Sequence, residues 1–169
     1  MDKRLQKEKN LKIILWFFVK LNLLLIPFYS ILYFDLKYEP LQILFAFLVG
    51  GFFQILGFEV ERYDFILYLG KEKFPVEISF DCIGWKSAYS LLALVLASTG
   101  KWRDKLNFLA KWVPIMFLVN FVRVIFAIII GFWFGFDLSI FIHDYVLQPT
   151  MIVIVLLVWL IFISSVSRC

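Results

Sequence analysis

Residues 108–134 read FLAKWVPIMFLVNFVRVIFAIIIGFWF, and only Lys111 and Arg123 interrupt the apolar run. As a helix rising ~1.5 Å per residue, it exceeds the ~30 Å hydrocarbon core of a bilayer. The apolar residues are continuous rather than alternating, which excludes a membrane β-barrel strand. The rest of the chain agrees. Apolar runs also occupy 13–34, 41–58, about 82–99 and about 148–165. The 169 residues are 63% hydrophobic and 18% charged, with a mean hydropathy of +0.90. Average globular domains are roughly 45–50% apolar and about 25% charged, so a soluble domain of this length could not hide so much apolar surface. Disorder and a collagen-like chain are excluded. Two cysteines, Cys82 and Cys169, are too few for a disulfide scaffold or a metal cage.

The expected fold is an all-α polytopic membrane protein: one integral membrane domain over residues 1–169, a bundle of about five transmembrane helices. The first run is too long for a signal-peptide core and reads as a retained span, with Pro27 a candidate kink. Gly50-Gly51 in the second run permits close packing or a bend. The polar stretch 59–81, EVERYDFILYLGKEKFPVEISFD, contains the β-like runs FILYL and VEISF, split by Gly70-Lys71-Glu72-Lys73. It predicts a small hairpin outside the bilayer between spans two and three. There is no internal repeat and no low-complexity segment.

Lys and Arg set the orientation. The connector 101–107, KWRDKLN, carries three basic residues with Lys111 just beyond, and is expected in the cytoplasm. The connector 135–147, GFDLSIFIHDYVL, has none. It is expected outside, as is the 59–81 loop, and the C-terminus inside. Five crossings then put the N-terminus outside, against the charge of Lys3, Arg4, Lys7, Lys9 and Lys12. Either that tail is translocated, or one of the first two runs does not cross, or the whole orientation is inverted.

Three positions are candidates for chemistry. An arginine inside a membrane helix costs at least a few kcal/mol and is retained for a site or a partner. Arg123 is expected about 22 Å up the bilayer core from residue 108. Asn120, three residues earlier, shares its face and is a candidate hydrogen-bond partner for the guanidinium. Snorkelling is the alternative, and it accounts for Lys20, Lys86 and Lys111. Cys82 is expected at the N-terminus of span three, where unpaired N–H groups lower a thiol pKa. Gly84 leaves room for close backbone approach. Otherwise Cys82 is a small buried apolar residue. His143, the only histidine, is either structural or a general base to the thiol. Asp144 follows it, but on a regular helix the two side chains diverge by ~100° and do not pair simply. With the later connectors setting topology, all three converge on the outer face: a nucleophile, a base and a cation for an oxyanion. No carboxylate pair or histidine cluster suggests a metal, no glycine-rich phosphate loop is present, and no basic face suggests nucleic acid.

These residues resemble the exosortase/archaeosortase family of membrane cysteine transpeptidases. The resemblance rests on DCIGWKSAYSLLAL (81–94), NFVR (120–123) and the histidine in SIFIHDYV (139–146), and covers roughly 60–165. Ile83 stands where many members carry serine. The resemblance implies Cys82 as nucleophile, Arg123 as the oxyanion or substrate-positioning residue and His143 as base. Asn120, Gly84 and Asp144 would support them. It implies no cofactor. The implied substrate is a secreted protein ending in a short motif, one transmembrane helix and a basic cluster. Cleavage passes through a Cys82 thioester, and the acceptor is a lipid amine or another membrane nucleophile. The implied location is the cell membrane, with the site near its outer face. Two other readings stand beside it. One is a non-enzymatic membrane subunit or transporter component in which Arg123 is structural or lines a pathway. The other is a lipid-modifying acyltransferase using His143.

Overall fold

The computed structural model describes residues 3–166, with side chains at Glu8 and from Leu11 onward. Cys169 and most of the basic N-terminal side chains lie outside the described residues. The elements in order are α1 (Lys3–Tyr33), α2 (Glu39–Ile55), β1 (Val60–Tyr63), β2 (Ile66–Leu69) and β3 (Phe74–Glu77). A 3₁₀ turn (Phe80–Ile83), α3 (Trp85–Ala97), α4 (Trp102–Phe134) and α5 (Phe136–Ile142) follow. A π turn (His143–Leu147) then joins α5 to α6 (Gln148–Val166).

Three helices are long and apolar enough to cross a membrane: Leu11–Tyr33, Trp102–Phe134 and the continuous Phe136–Val166. The expected second and third spans form the shorter α2, of 17 residues, and α3, of 13. Two boundaries move for local reasons. Gly84, at φ +89°, ends the 3₁₀ turn in the left-handed region, so the helix after Cys82 begins only at Trp85. Gly135, at φ +95°, separates α4 from α5. The 135–147 connector beyond it is helical and runs straight into the last apolar run.

The chain divides into two compact units, and the first comprises residues 1–36, 88–113 and 154–169. Tyr89, one turn into α3, donates its hydroxyl to the Leu24 carbonyl (2.7 Å) and packs on Phe28. Earlier in α1, Phe17 stacks on Trp159 of α6. The Trp159 indole N–H donates to Ser98 Oγ, just past the end of α3 (2.9 Å). Thus α1 runs antiparallel to α3, its early residues beside the end of α3. Lys105, one turn into α4, is 6% exposed. Its ammonium donates to the carbonyls of Leu96 (2.9 Å) and Ser98, meeting the unpaired acceptors and negative end of the α3 dipole. Five alternating crossings would separate the start of α1 from the 101–107 connector. Unit 1 instead puts them at the same end.

The second unit comprises residues 37–87 and 114–153. Pro40 opens α2 in its first turn, where the missing N–H is no loss. α2 buries Gln42, Phe45, Ala46, Val49, Gly50 and Phe53, one stripe at helical spacing. The strands form an antiparallel sheet in the order β1-β2-β3, with Val60 opposite Leu69 and Ile66 opposite Glu77. Period-two alternation sends Leu67 and Leu69 of β2 inward, both fully buried. They join Phe53, Ile78, Ile83, Val124, Ile125 and Ile128 in one core. At roughly 1.5–3 kcal/mol per fully buried large apolar side chain, this cluster fixes the sheet on α2 and α4. Gln42 Nε2 donates to the Ile78 carbonyl (3.1 Å), tying α2 to the chain just before the 3₁₀ turn. On the far side of α4, Ser139 Oγ donates to the Ala127 carbonyl (2.9 Å). Gly131 lets α5 approach there, because a Cβ on it would lie 3.2 Å from Ser139.

Candidate active site

All the candidate site residues that are described lie in the second unit. Cys82 sits on the 3₁₀ turn, not at a helix N-terminus. The turn folds back on Ser79: the Cys82 N–H donates to the Ser79 carbonyl (3.0 Å). The Ser79 hydroxyl lies 3.2 Å from the Cys82 sulfur. Phe80 stacks on Trp85 across the turn (5.4 Å, 30°), and Lys86 pairs with Asp81 (2.8 Å). Lys86 is therefore bound in the turn, where a snorkelling side chain was expected.

Asn120, on α4, holds this turn from beneath. It is fully buried, and its Nδ2 donates to the Cys82 carbonyl at 2.6 Å. The expected bond from Asn120 to the Arg123 guanidinium is not formed. Asn120 Oδ1 and Arg123 Nε are both buried without a hydrogen-bond partner. The amide is committed to the Cys82 backbone instead. Gly84 makes that possible, for an added Cβ would stand 2.6 Å from Asn120 Cγ and 2.7 Å from Nδ2. The close approach read from the sequence is thus an approach of this side chain.

Arg123, one turn further along α4, places Nη2 2.9 Å from His143 Nε2. A guanidinium only donates, so Nε2 accepts, and the ring proton of the neutral imidazole is on Nδ1. Nδ1 in turn meets Asp144 Oδ1 at 2.8 Å. The sequence expectation that His143 and Asp144 diverge is corrected here. The π turn His143–Leu147 is wider than a regular helical turn, and the short Asp144 side chain bends back to its neighbour.

The His143 imidazole shares a cavity wall with the Cys82 thiol. Burial pushes that thiol up, but the neighbouring His143 imidazole and the Ser79 hydroxyl outweigh it, and the thiol titrates below its ordinary range. Cys82 and His143 open onto one cavity of about 300 Å³ between β3, α4 and α5, whose wall includes Phe74, Glu77, Phe136, Ser139 and Asp144. A larger groove of about 680 Å³ runs between α2 and α4, touches Ile83 and is lined by apolar residues. The chemistry-bearing groups belong to the smaller cavity.

Cys82, Arg123 and His143 are therefore assembled from three separated segments, and Asn120, Gly84 and Asp144 each touch that assembly. Ser79 and Glu77 escaped the sequence reading. The Ser79-x-x-Cys82 spacing was a usable signal, since a serine three residues before a turn residue commonly bonds back to it. Nothing in the sequence marks Glu77. Among the described residues, no group of three or more His, Cys, Asp or Glu is placed to hold a metal ion.

No curated protein and no solved structure matches the chain. A sequence model described as Transmembrane exosortase (Exosortase_EpsH) matches residues 9–164, well beyond the 60–165 over which the motifs ran. With its apolar helices and this match, the protein is an integral membrane protein. The chain belongs to the transmembrane exosortases, which at the family level implies a membrane cysteine peptidase/transpeptidase role.

Proposed function

We propose that the protein is a membrane-embedded cysteine protease/transpeptidase. It cleaves the C-terminal sorting signal of secreted proteins through a Cys82 thioester and passes them to a membrane or surface acceptor. The observation that carries this reading is that Cys82 and His143 line one cavity, with Arg123 hydrogen-bonded to His143 behind it.

In the resting site the Nε2 lone pair of His143 is occupied by Arg123. As a peptide carbonyl enters, the guanidinium turns to its oxygen and Nε2 is freed for the thiol proton. The Cys82 sulfur attacks the carbonyl carbon and a tetrahedral oxyanion forms against Arg123. Nε2 then gives its proton to the departing amine nitrogen, and the C–N bond breaks, leaving a thioester and a released tail helix. An acceptor amine or water attacks the thioester, its proton goes to Nε2, and the Cys82 thiolate departs. The Cys82 N–H is already bonded to Ser79, so Arg123 is the donor suited to the oxyanion.

The orientation in this reading is set by Lys and Arg: the start of α1 and the 101–107 connector, both basic, lie at one end of unit 1, and that end is taken as cytoplasmic. The reading puts the site near the outer face. There it meets the peptide bond preceding a substrate helix. The test is processing of a secreted protein with a C-terminal motif–helix–basic tail encoded near this chain. Cys82→Ala should insert normally, lose all processing and lose labelling of Cys82 from the outer side. Retained processing in Cys82→Ala or Cys82→Ser removes the enzyme reading.

A further inference from the structure

We infer that Asp144 is the positioning residue of the site, completing a Cys82–His143–Asp144 arrangement in which the carboxylate fixes the tautomer and rotation of the imidazole. The inference rests on the reading of Cys82 as nucleophile. His143 is anchored at both nitrogens: Asp144 Oδ1 takes Nδ1 at 2.8 Å and Arg123 Nη2 takes Nε2 at 2.9 Å. The two contacts do different work. Arg123 must leave Nε2 for the ring to accept the thiol proton. Once it does, only Asp144 still holds the ring. A neutral imidazole whose Nδ1–H is donated to a carboxylate has its lone pair on Nε2, the nitrogen that Arg123 releases. When Nε2 takes the proton, the same carboxylate faces a full imidazolium, favouring the thiolate–imidazolium pair over the neutral pair.

The groups facing the imidazole are Cys82 from the 3₁₀ turn, Arg123 from α4, Asp144 from its own π turn, and Glu77 across the cavity on β3. Glu77 lines the cavity wall, whereas Asp144 is bonded to the ring. The π turn makes the pairing local. His143 and Asp144 are adjacent in sequence, so the carboxylate moves with the imidazole and needs no second element to deliver it. Asp144 is half exposed, 53% for its side chain against 26% for that of His143. That keeps the carboxylate hydrated and available as an acceptor.

Because His143 is the only histidine, ¹⁵N-histidine labelling of untagged protein in micelles reports this ring alone. The wild type should show an Nδ1 proton shifted downfield and slow to exchange. Asp144→Ala should lose it. In a Cys169→Ser background, alkylation of Cys82 at neutral pH should slow by about tenfold to a hundredfold in Asp144→Ala, with its profile moved to higher pH. Asp144→Asn keeps an acceptor oxygen without the charge. It should recover part of the rate, and it carries the test if the alanine variant does not fold. Wild type with its proton on Nε2, or wild-type alkylation profiles in both variants, overturns the inference. Its failure is separable from that of the proposed function. Processing that survives Cys82→Ala sinks the enzyme reading. Processing that needs Cys82 but ignores Asp144 sinks this inference alone.

Discussion

Gly84→Ala probes the support of the Cys82 turn most sharply, because two controls separate its two costs. Gly84 is at φ +89° and its missing Cβ would stand 2.6 Å from Asn120 Cγ and 2.9 Å from Asn120 Cβ. Gly57 is at φ +86° with nothing within 4 Å, and Gly51 is helical with nothing within 4 Å. Gly51→Ala meets neither cost and should be neutral or stabilising by about 0.5–1 kcal/mol. Gly57→Ala isolates the left-handed backbone and should cost about 1–2 kcal/mol. Gly84→Ala adds overpacking of about 1–3 kcal/mol, giving roughly 2–5 kcal/mol in total. Asn120 cannot step aside, being fully buried. The relief available is displacement of the turn, which breaks the 2.6 Å bond to the Cys82 carbonyl. The assay is unfolding in mixed micelles followed by tryptophan fluorescence, run beside Cys82 alkylation on the folded fraction. The order Gly84 well below Gly57, and Gly57 below Gly51, is expected, with Cys82 alkylation altered only in Gly84→Ala. Gly84→Ala as mild as Gly57→Ala would refute the claim that Asn120 is packed against the turn.

Further outcomes follow from the same geometry. Ser79→Ala removes a hydrogen bond that favours the thiolate. The thiol then titrates higher, so Cys82 alkylation should fall below its midpoint by roughly twofold to tenfold and converge with wild type at high pH. Arg123→Lys keeps the charge but loses the planar fork. It should cut processing by about tenfold or more while Cys82 still alkylates; near-wild-type processing would instead favour a structural arginine. Lys105→Met leaves the Leu96 and Ser98 carbonyls without their buried donor. It should cost about 1–3 kcal/mol in the unfolding assay with the Cys82 alkylation profile unchanged.

The apolar runs located every helix but α5, which lies in the 135–147 connector, because continuous hydrophobicity is a local signal that needs no partner to be read. The helices' limits were less legible. Gly84 and Gly135 act through positive φ, and glycine in a sequence does not reveal its own dihedral. The candidates Cys82, Arg123 and His143 were readable as chemical exceptions to an apolar chain. Their wiring was not. Asn120 shares a helical face with Arg123, and spacing alone made that neighbour the natural partner, but the competing acceptor at Cys82 comes from 38 residues away in the chain. His143 and Asp144 looked divergent because a regular helical turn was assumed, and a π turn has no composition cue. The N-terminal charge conflict arose from counting apolar runs as crossings. The contacts of Phe17, Leu24 and Phe28 in unit 1 put the start of α1 and the 101–107 connector at one end, and those are long-range pairs that hydropathy cannot supply.

The central claim is that Cys82 becomes covalently acylated by the retained part of its substrate. The direct measurement is intact-protein mass spectrometry of the enzyme after brief mixing with a sorting-signal substrate, with and without hydroxylamine. An adduct with the mass of the substrate upstream of the cleaved bond is expected. It should map to Cys82, be released by hydroxylamine as a thioester is, and be absent from Cys82→Ala. Processing that proceeds without this adduct, or an adduct that maps to Cys169, would contradict the account.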